Sequence, residues 1–348
     1  MTLIRHLAAA IVVAAILALL SVQLGSYRDF QMAEVAAYVA AVAGLTVLIG
    51  LSGQISVGNG AFMAVGAYTG ALLLLHLNWP VYLVFLASAV IAAIGGAIFG
   101  IAAARLRGPY LAGATLMLAV ALPTVANQYA GVFGGDQGLA ISIPTPGFLG
   151  ATFPPSRWLA WVTCAAALIA LVLLANLGRS RIGRSWRAVR DDEVAAALSG
   201  LNVARLQVLA FVVSAGCAGL GGALLAVVTG IVAPGAYTLT LSIGLLTASV
   251  LGGLGSLLGA VWGSLLLVLV PSYLTNVASS HGLSGAASSS VPVAAYGVVL
   301  IAVMLVFPAG IQGGLRRLFG PAAPAAAVPL NALRRRRPAS EHQEEGTT

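Results

Sequence analysis

The longest uncharged stretch of the chain places the strongest constraint on its fold. Residues 206–315 contain no Asp, Glu, Lys or Arg, and neither do residues 35–104. A membrane helix needs roughly 20 apolar residues to cross about 30 Å of hydrocarbon. Each block is several times that length, so each must cross a membrane more than once. The sequence therefore predicts an all-α, polytopic integral membrane protein.

The composition excludes most other classes. Charged residues make up 7% of the 348 positions and hydrophobic residues 60%, whereas a soluble domain has about 25% charged residues. So few charges do not cover the surface of a water-soluble enzyme or binding domain. Apolar residues are also too abundant for a largely disordered chain.

Uncharged stretches and turn signals together predict about ten transmembrane helices, within a range of about eight to eleven. The first is interpreted as a span and not as a cleaved signal peptide, because its apolar run continues through Leu24. Two connections are very short, the one between the second and third spans and the one between the eighth and ninth. Each of these pairs is therefore either two spans or one broken or re-entrant helix. The predicted spans lie near 7–24, 33–51, 57–76, 81–104, 109–130, 158–177, 206–232, 238–253, 256–275 and 292–308.

The distribution of arginine predicts the orientation. With a cytoplasmic N-terminus and alternating spans, 15 of the 17 basic residues fall on the cytoplasmic side, and only Arg28 and Arg157 fall outside. Both termini are therefore expected in the cytoplasm. The basic residues flank membrane spans, so we expect them to contact membrane lipid and not nucleic acid. We expect a membrane domain over 1–320, with a cytoplasmic loop at 178–205, and a disordered Pro/Ala- and Arg-rich tail at 321–348.

The spans lack the residues that catalysis or ion coupling requires. We expect no Asp, Glu, Lys or Arg at membrane depth, which argues against a carrier driven by a buried carboxylate. We also expect no catalytic residue and no metal site, since Cys164 and Cys217 lack ligand spacing. No GxxxxGK[ST] run is present, so uphill transport would need energy from a partner.

Glycine-rich segments interrupt the apolar pattern in both halves of the chain. Closely spaced glycines let membrane helices pack tightly, and glycine-interrupted helices also line polar paths in transporters, so both interpretations stay open. The candidate packing or break residues are Gly53, Gly58, Gly60, Gly66, Gly70, Gly252, Gly253 and Gly255. The candidate path residues, chosen for polarity at depth, are Gln54, Ser56, Asn59, Thr115 and Asn127.

The long charged loop predicts a short amphipathic helix. Acidic residues 191–193 favour a helix N-terminus, and Val194, Leu198 and Leu201 follow at helical spacing. Gly200 can end this helix in a left-handed conformation. Such a helix fits the groove of a partner protein or lies on the membrane surface, and the pattern alone favours neither.

Ordered motifs between about residues 40 and 316 resemble a known family. They are SGQISVGNGAF with VGAYTGA, IGRSWRAVRDDEVAAALSGLNV with LAFVVSAGCAGLGGALLA, APGAYTLTLSIGLL, VLGGLGSLLGAVWGSLLL and FPAGIQGGLRR. This series resembles the permease subunits, of the LivM type, of branched-chain amino acid ABC importers.

The resemblance implies a multi-subunit importer in a bacterial inner membrane. A second related permease, two ATPase subunits and an extracytoplasmic binding protein would be its partners. ATP and Mg²⁺ would bind to the ATPases, and this chain would bind no cofactor. Together with the apolar stripe, the resemblance assigns coupling to the ATPase to Glu193, Val194, Ala195, Ala196, Leu198 and Gly200.

Departures from the family pattern leave the solute open. Asn59 stands where the family often has His, and Ala121 and Pro123 stand where relatives often have an acidic residue and no proline. Branched-chain or other hydrophobic amino acids are the expected solute, and urea, short amides or a sugar are the alternatives. A passive channel or a membrane-embedded enzyme is an alternative of another class, although the sequence offers no convincing reactive residue for an enzyme.

Overall fold

The computed structural model describes residues 2–23, 25–77, 79–105, 109–143, 154–280, 286–307 and 310–319. That part of the chain forms fourteen α-helices and one pair of short antiparallel strands, β1 and β2. The helices are α1 (Thr2–Gln23), α2 (Ser26–Ser52), α3 (Asn59–Leu77), α4 (Val81–Ala103), α5 (Pro109–Gln128), α6 (Ala130–Phe133), α7 (Pro155–Arg179), α8 (Arg181–Asp191), α9 (Glu193–Leu198), α10 (Val203–Thr229), α11 (Leu239–Gly252), α12 (Leu257–Ser280), α13 (Ala286–Val306) and α14 (Gly310–Phe319); the strands are β1 (Leu139–Ala140) and β2 (Ile231–Val232).

The helices confirm the predicted class. Within the described residues, nine helices are long and apolar enough to cross a membrane, and α1 carries a further apolar stretch, Ala10–Gln23. An all-α polytopic protein with about ten spans is therefore confirmed. The side of the membrane on which each terminus lies stays a prediction.

Helix α10 forms the centre of the bundle and packs against α2, α3 and α4. Small residues make these approaches close: a methyl group added to Gly66 of α3 would overlap the backbone of Gly219 of α10. A methyl group on Gly221 of α10 would lie 2.7 Å from the backbone oxygen of Ala37 of α2. Close backbone contact is how helices associate in lipid, where apolar side chains gain little by leaving the solvent. Helices α2 and α3 hardly touch each other, because α10 packs against both.

The start of α2 corrects one expectation. The predicted span began at residue 33 and contained Glu34, whereas α2 begins at Ser26 and the candidate span also includes Asp29. Helix α7 likewise begins at Pro155 and includes Arg157. The helices that qualify as spans therefore include ionisable residues near their starts, while the expectation that none lies at membrane depth stays a prediction.

Local interactions explain why these charges are tolerated. Asp29 lies in the first turn of α2, where the helix dipole stabilises a negative charge. Its buried carboxylate accepts a hydrogen bond from Ser21 at 2.8 Å and lies 3.7 Å from Nε of Arg157. A 27-residue helix is about 40 Å long, which exceeds the roughly 30 Å hydrocarbon layer, so the first turns of α2 extend beyond that layer.

The chain divides into two compact units, Met1–Gly314 and Leu315–Thr348. The first unit contains the helical bundle. Of the second unit, the structure describes 315–319 as the end of α14. The predicted tail at 321–348 lies outside the described residues.

Candidate functional site

The helix break between α2 and α3 provides the candidate site. Helix α2 ends at Gly53, whose φ of 76° is in the left-handed region, and its N–H bonds to the carbonyl of Ile49. Any side chain at Gly53 would be strained by this φ and would also meet Arg190, whose Cγ lies 2.7 Å from the position of an added Cβ. The chain then runs without helix through residues 54–58, and α3 begins at Asn59.

Buried polar side chains surround this break and satisfy part of its backbone. The Val57 N–H bonds to Oγ1 of Thr115 at 3.0 Å, and the Gly60 N–H bonds to Oγ of Ser242 at 3.2 Å. Since irregular backbone in a membrane must be satisfied by protein or lie in a cavity, these contacts explain how the break is accommodated. We call the following buried residues the break cluster: Ser52, Gln54, Ser56, Asn59, Thr115, Ser214 and Ser242.

Asn59 is the least satisfied member of the break cluster. Its side chain is 1% exposed, and its Oδ1 accepts a hydrogen bond from Ser214 at 3.3 Å. Its Nδ2 has no hydrogen-bond partner among the described residues. A buried amide donor without a partner costs about 1–3 kcal/mol, so this atom is poised to donate to a group that enters the cluster.

The structure brings four of the five predicted path residues together. Gln54, Ser56 and Asn59 lie in or next to the break, and Thr115 reaches it from α5. Asn127 does not join them, because it lies exposed near the other end of α5.

The predicted path residues omit Ser52, at the end of α2, and sequence reasoning missed two further members of the cluster, Ser214 on α10 and Ser242 on α11. Each is one small polar residue in an apolar helix far along the chain. A lone serine inside a span is the one signal that the sequence offered for them.

The predicted packing glycines divide into two groups. Gly58, Gly60 and Gly66 are tightly enclosed. A Cβ added to Gly58 would lie 2.6 Å from the carbonyl oxygen of Thr115. A Cβ added to Gly60 would overlap Ser242, and one added to Gly66 would overlap Gly219. Gly70 is different, since an added Cβ would make ordinary contacts of 3.4–3.5 Å. The Gly66–Gly70 spacing therefore contains one required glycine and one position with room for a methyl group.

Helices α8 and α9 form the charged segment that follows α7. Ser180 caps α8 by accepting a hydrogen bond from the Gly183 N–H, and Asp192 caps α9 by accepting from the N–H groups of Val194 and Ala195. The buried Trp186 holds α8 in place by donating from Nε1 to the carbonyl of Leu206 at 2.8 Å.

Helix α9 ends as the sequence predicted, at a left-handed glycine. Gly200 has a φ of 84°, and the Gly200 and Leu201 N–H groups bond back to the carbonyls of Ala197 and Ala196. This paired pattern is a Schellman motif. Leu201 lies beyond the helix, so the apolar stripe on α9 consists of Val194 and Leu198.

The outer face of α9 is apolar and uncovered. Val194 is 70% exposed and Leu198 is 86% exposed, while Ala196 is buried on the opposite face. Exposed apolar residues one turn apart, on a capped helix held in position by α8, form a surface that suits insertion into a partner's groove.

Two sets of hydrogen bonds join α8 and α9 to the helix break. The guanidinium of Arg190, on α8, donates from Nη1 to the carbonyl of Gly50 in the last turn of α2. Glu193, on α9, accepts from Nε2 of Gln207 at 3.0 Å, and the carbonyl of Gln207 accepts from Nε2 of Gln54 at 3.3 Å. We call these contacts the Arg190 link and the Gln207 link. Helices α8 and α9 are thus connected by side chains to the start of the broken segment, on either side of Gly53.

The described residues contain no group of three or more His, Cys, Asp or Glu that could hold a metal ion. Cys164 and Cys217 are free thiols on α7 and α10. The groups that the break cluster presents are hydroxyls and amides, which form hydrogen bonds.

Residues 27–308 match the family model described as "Branched-chain amino acid transport system / permease component". The permease protein LivM of the high-affinity branched-chain amino acid transport system of Escherichia coli (strain K12) is 32% identical over 249 residues, which cover 65% of this chain and 58% of that protein. The permease protein LivH of Salmonella typhimurium is 28% identical over 287 residues, or 78% of this chain and 89% of that protein. The permease protein BraD of Pseudomonas aeruginosa is 36% identical over 146 residues, or 42% of this chain and 44% of that protein.

The match to LivM thus spans 58% of the length of that protein. No solved structure matches the chain significantly.

Proposed function

The chain belongs to the branched-chain amino acid transport system permease component family, and we propose that it forms part of the membrane path of an ABC importer for branched-chain or other hydrophobic amino acids. The importer would lie in a bacterial inner membrane. It would contain a second related permease, since both LivM and LivH proteins are similar to this chain. Two ATPases would bind ATP and Mg²⁺, and an extracytoplasmic binding protein would deliver the solute.

One structural observation supports this proposal most strongly: the connection between the exposed helix α9 and the buried helix break. A permease driven by partner ATPases needs a surface that receives their movement and a path that responds to it. Val194 and Leu198 provide an exposed apolar surface. The Gln207 link runs from α9 to Gln54 of the break cluster, and the Arg190 link runs from the neighbouring α8 to the last turn of α2.

The geometry suggests how ATP hydrolysis would move the path. A displacement of α9 would pull on Gln207 through Glu193, and a displacement of α8 would pull on the end of α2 through Arg190. Gln54 and Gly50 lie on either side of Gly53, where α2 ends. The break is where this region can bend without losing helical hydrogen bonds, because residues 54–58 are already non-helical.

The break cluster would provide the polar part of the path. Ser and Thr hydroxyls and the free Nδ2 of Asn59 offer hydrogen bonds to the polar end of an amino acid, and the surrounding apolar helices suit its side chain. The N-terminus of α3, at Asn59, adds a partial positive charge that favours a carboxylate.

Uptake into proteoliposomes tests the proposal. The chain is reconstituted with the subunits that copurify with it, and uptake of radiolabelled leucine is measured with and without ATP inside the vesicles. We expect ATP-dependent uptake that also requires the binding protein. Uptake of urea in place of leucine would contradict the proposed solute, and equal uptake without ATP would identify a passive channel.

A pair of variants tests the proposed role of α9. Leu198→Asp places a charge on the exposed apolar surface and is expected to lower ATP-dependent uptake at least tenfold, because a buried unpaired charge would oppose docking. Ala188→Asp places the same charge at an exposed position of α8 and serves as the matched control. Equal losses in both variants would mean that net charge, and not the α9 surface, is responsible.

A further inference from the structure

A groove on the outside of the bundle lies away from the helix break. Helix α4 and helix α7 form its walls and α10 forms its floor, with small residues such as Ala89, Ala166 and Gly216 leaving the space open. Its volume is about 710 Å³, and all of its lining residues are aliphatic, aromatic or cysteine. In the described residues α7 and α4 stand apart there, both packing on α10.

A second cavity continues the groove toward the end of the bundle where α9 leads into α10. Its volume is about 500 Å³, and it shares Val212 with the first cavity. Ile101 and Val208 continue the apolar lining of α4 and α10. Arg105 and Arg205 flank this end, so the groove is apolar along its length and basic where it stops.

The two arginines are positioned to bind an anion. Both are exposed, and neither forms a salt bridge within the part of the chain that the structure describes. No carboxylate lines either cavity. Arg205 also lies in the first turn of α10, where the helix dipole adds positive potential.

The spacing matches one leaflet of a membrane. Eleven residues of α10 separate Arg205 from Gly216, which corresponds to a distance of about 16 Å along the helix. Half of the hydrocarbon layer is about 15 Å thick. A headgroup at the arginines would therefore place its acyl chain along Val208, Val212 and Gly216, into the wider part of the groove.

We propose that this continuous groove binds a single anionic phospholipid, with the phosphate between Arg105 and Arg205 and an acyl chain between α4 and α7. Basic pockets between membrane helices bind acidic lipid headgroups in this manner. A transmembrane helix of another subunit would also fill an apolar groove, but it would leave the two arginines without an anion. The bound lipid would act as a filler that holds α7 against α4 and α10.

Native mass spectrometry of the full-length protein, purified with its copurifying subunits and stripped of lipid, tests this proposal. Dioleoyl phosphatidylglycerol and dioleoyl phosphatidylcholine are titrated separately, because they share acyl chains and differ in net charge. We expect the first phosphatidylglycerol molecule to bind more tightly than any further phosphatidylglycerol molecule, and more tightly than phosphatidylcholine. In Arg105→Gln/Arg205→Gln, its affinity should fall about 25-fold, or about fivefold per arginine, while phosphatidylcholine binding should be unchanged.

Two matched controls separate this site from general effects. Arg181→Gln/Arg184→Gln removes the same charge from exposed positions of α8 outside the groove and should retain the preference. Ala165→Trp fills the groove and should lower binding of the tight lipid, whereas Ala121→Trp, on an exposed face of α5, should not. Thermal unfolding midpoints confirm that each variant is folded.

Three results would overturn the proposal. The first is equal affinity of the wild-type protein for the two lipids. The second is an equal loss of preference in the α8 control, which would indicate diffuse attraction to basic residues. The third is lipid binding by the isolated chain but not by the assembly, which would identify the groove as a subunit interface.

Discussion

Two interruptions break the helices of this permease, residues 53–58 between α2 and α3 and residues 253–256 between α11 and α12. The first contains Gln54 and Ser56 and is surrounded by buried hydroxyl and amide groups. The second contains Gly253 and Gly255, with φ values of 115° and 80°, and its one polar side chain, Ser256, bonds locally to the Gly259 N–H. Both breaks depend on glycine, but only the first presents a polar surface.

The two breaks also differ in what they contact. The first is joined to α8 and α9 by the Arg190 and Gln207 links. The glycines of the second lie directly against backbone: Gly252 contacts Gly259, and Gly253 contacts Gly310. They meet where the backbones of Gly50 and Gly255 touch. We infer that the second break is a fixed support against which the first one moves.

The largest expected effect comes from crowding the fixed break. Gly252→Ala adds a methyl group that overlaps the backbone of Gly259, and backbone cannot move as a flexible side chain can. We expect a destabilisation of about 3 kcal/mol or more, seen as loss of the folded, monodisperse protein. Gly297→Ala is the control, because an added Cβ there meets nothing within 4 Å; it should be neutral or slightly stabilising. Normal folding of Gly252→Ala would show that the second break is not rigid.

The next largest effect comes from removing the Arg190 link. Arg190→Gln loses the bond to the Gly50 carbonyl and should lower leucine uptake about tenfold while ATP hydrolysis continues. The variant should still insert and assemble, because no buried charge is left unpaired. Arg181→Gln is the matched control on the same helix. Full uptake in Arg190→Gln would remove α8 from the transmission.

A smaller effect is expected from the Gln207 link. The hydrogen bond between Glu193 and Gln207 is exposed, so it contributes only about 0.5 kcal/mol. Glu193→Ala and Gln207→Ala should each lower uptake a few-fold, and the double variant should be no worse than either single one. Additive losses in this double-mutant cycle would show that the two residues act separately.

Glu193→Arg and Gly200→Pro should lower uptake more than these alanine variants do, uncoupling transport without blocking insertion.

The smallest effect on stability is expected at Asn59. Asn59→Ala removes a buried amide whose Nδ2 has no partner in the described structure, but it also removes the acceptor of the Ser214 hydroxyl. The two effects oppose each other, so the free energy of unfolding should change by less than about 1 kcal/mol. Thr115→Val, in contrast, leaves the Val57 N–H without its acceptor and should cost about 1–3 kcal/mol. If Asn59 lines the path, its variant should raise the KM for leucine at unchanged stability. Unchanged KM would remove Asn59 from the path.

The uncharged stretches and turn signals of the sequence were sufficient to predict the membrane-spanning helices, and polar residues near the first break indicated most of the break cluster. Helix ends were predicted less well. The start of α2 was missed because Asp29 looks like a loop residue until its buried contact with Ser21 and Arg157 is known. Whether a charge can enter a span depends on a partner that is distant in the sequence.

The two links and the Ser214 and Ser242 contacts were not predictable for the same reason. Arg190 and Gly50 are 140 residues apart, and Asn59 and Ser214 are 155 apart. The sequence marked Arg190 only as one arginine among several that flank membrane spans. The left-handed end of α9 at Gly200 was predictable, because glycine placement and helix length are local properties.

The central claim, that α8 transmits movement to the break at Gly53, is tested most directly by following access to the break itself. Ser56→Cys is introduced after Cys164 and Cys217 are replaced by alanine, and its reaction rate with a small water-soluble maleimide is measured in the assembled importer. Ser56 is fully buried, so we expect slow reaction without ATP, acceleration with ATP, and no acceleration when Arg190→Gln is also present. The same acceleration with and without Arg190 would contradict the claim.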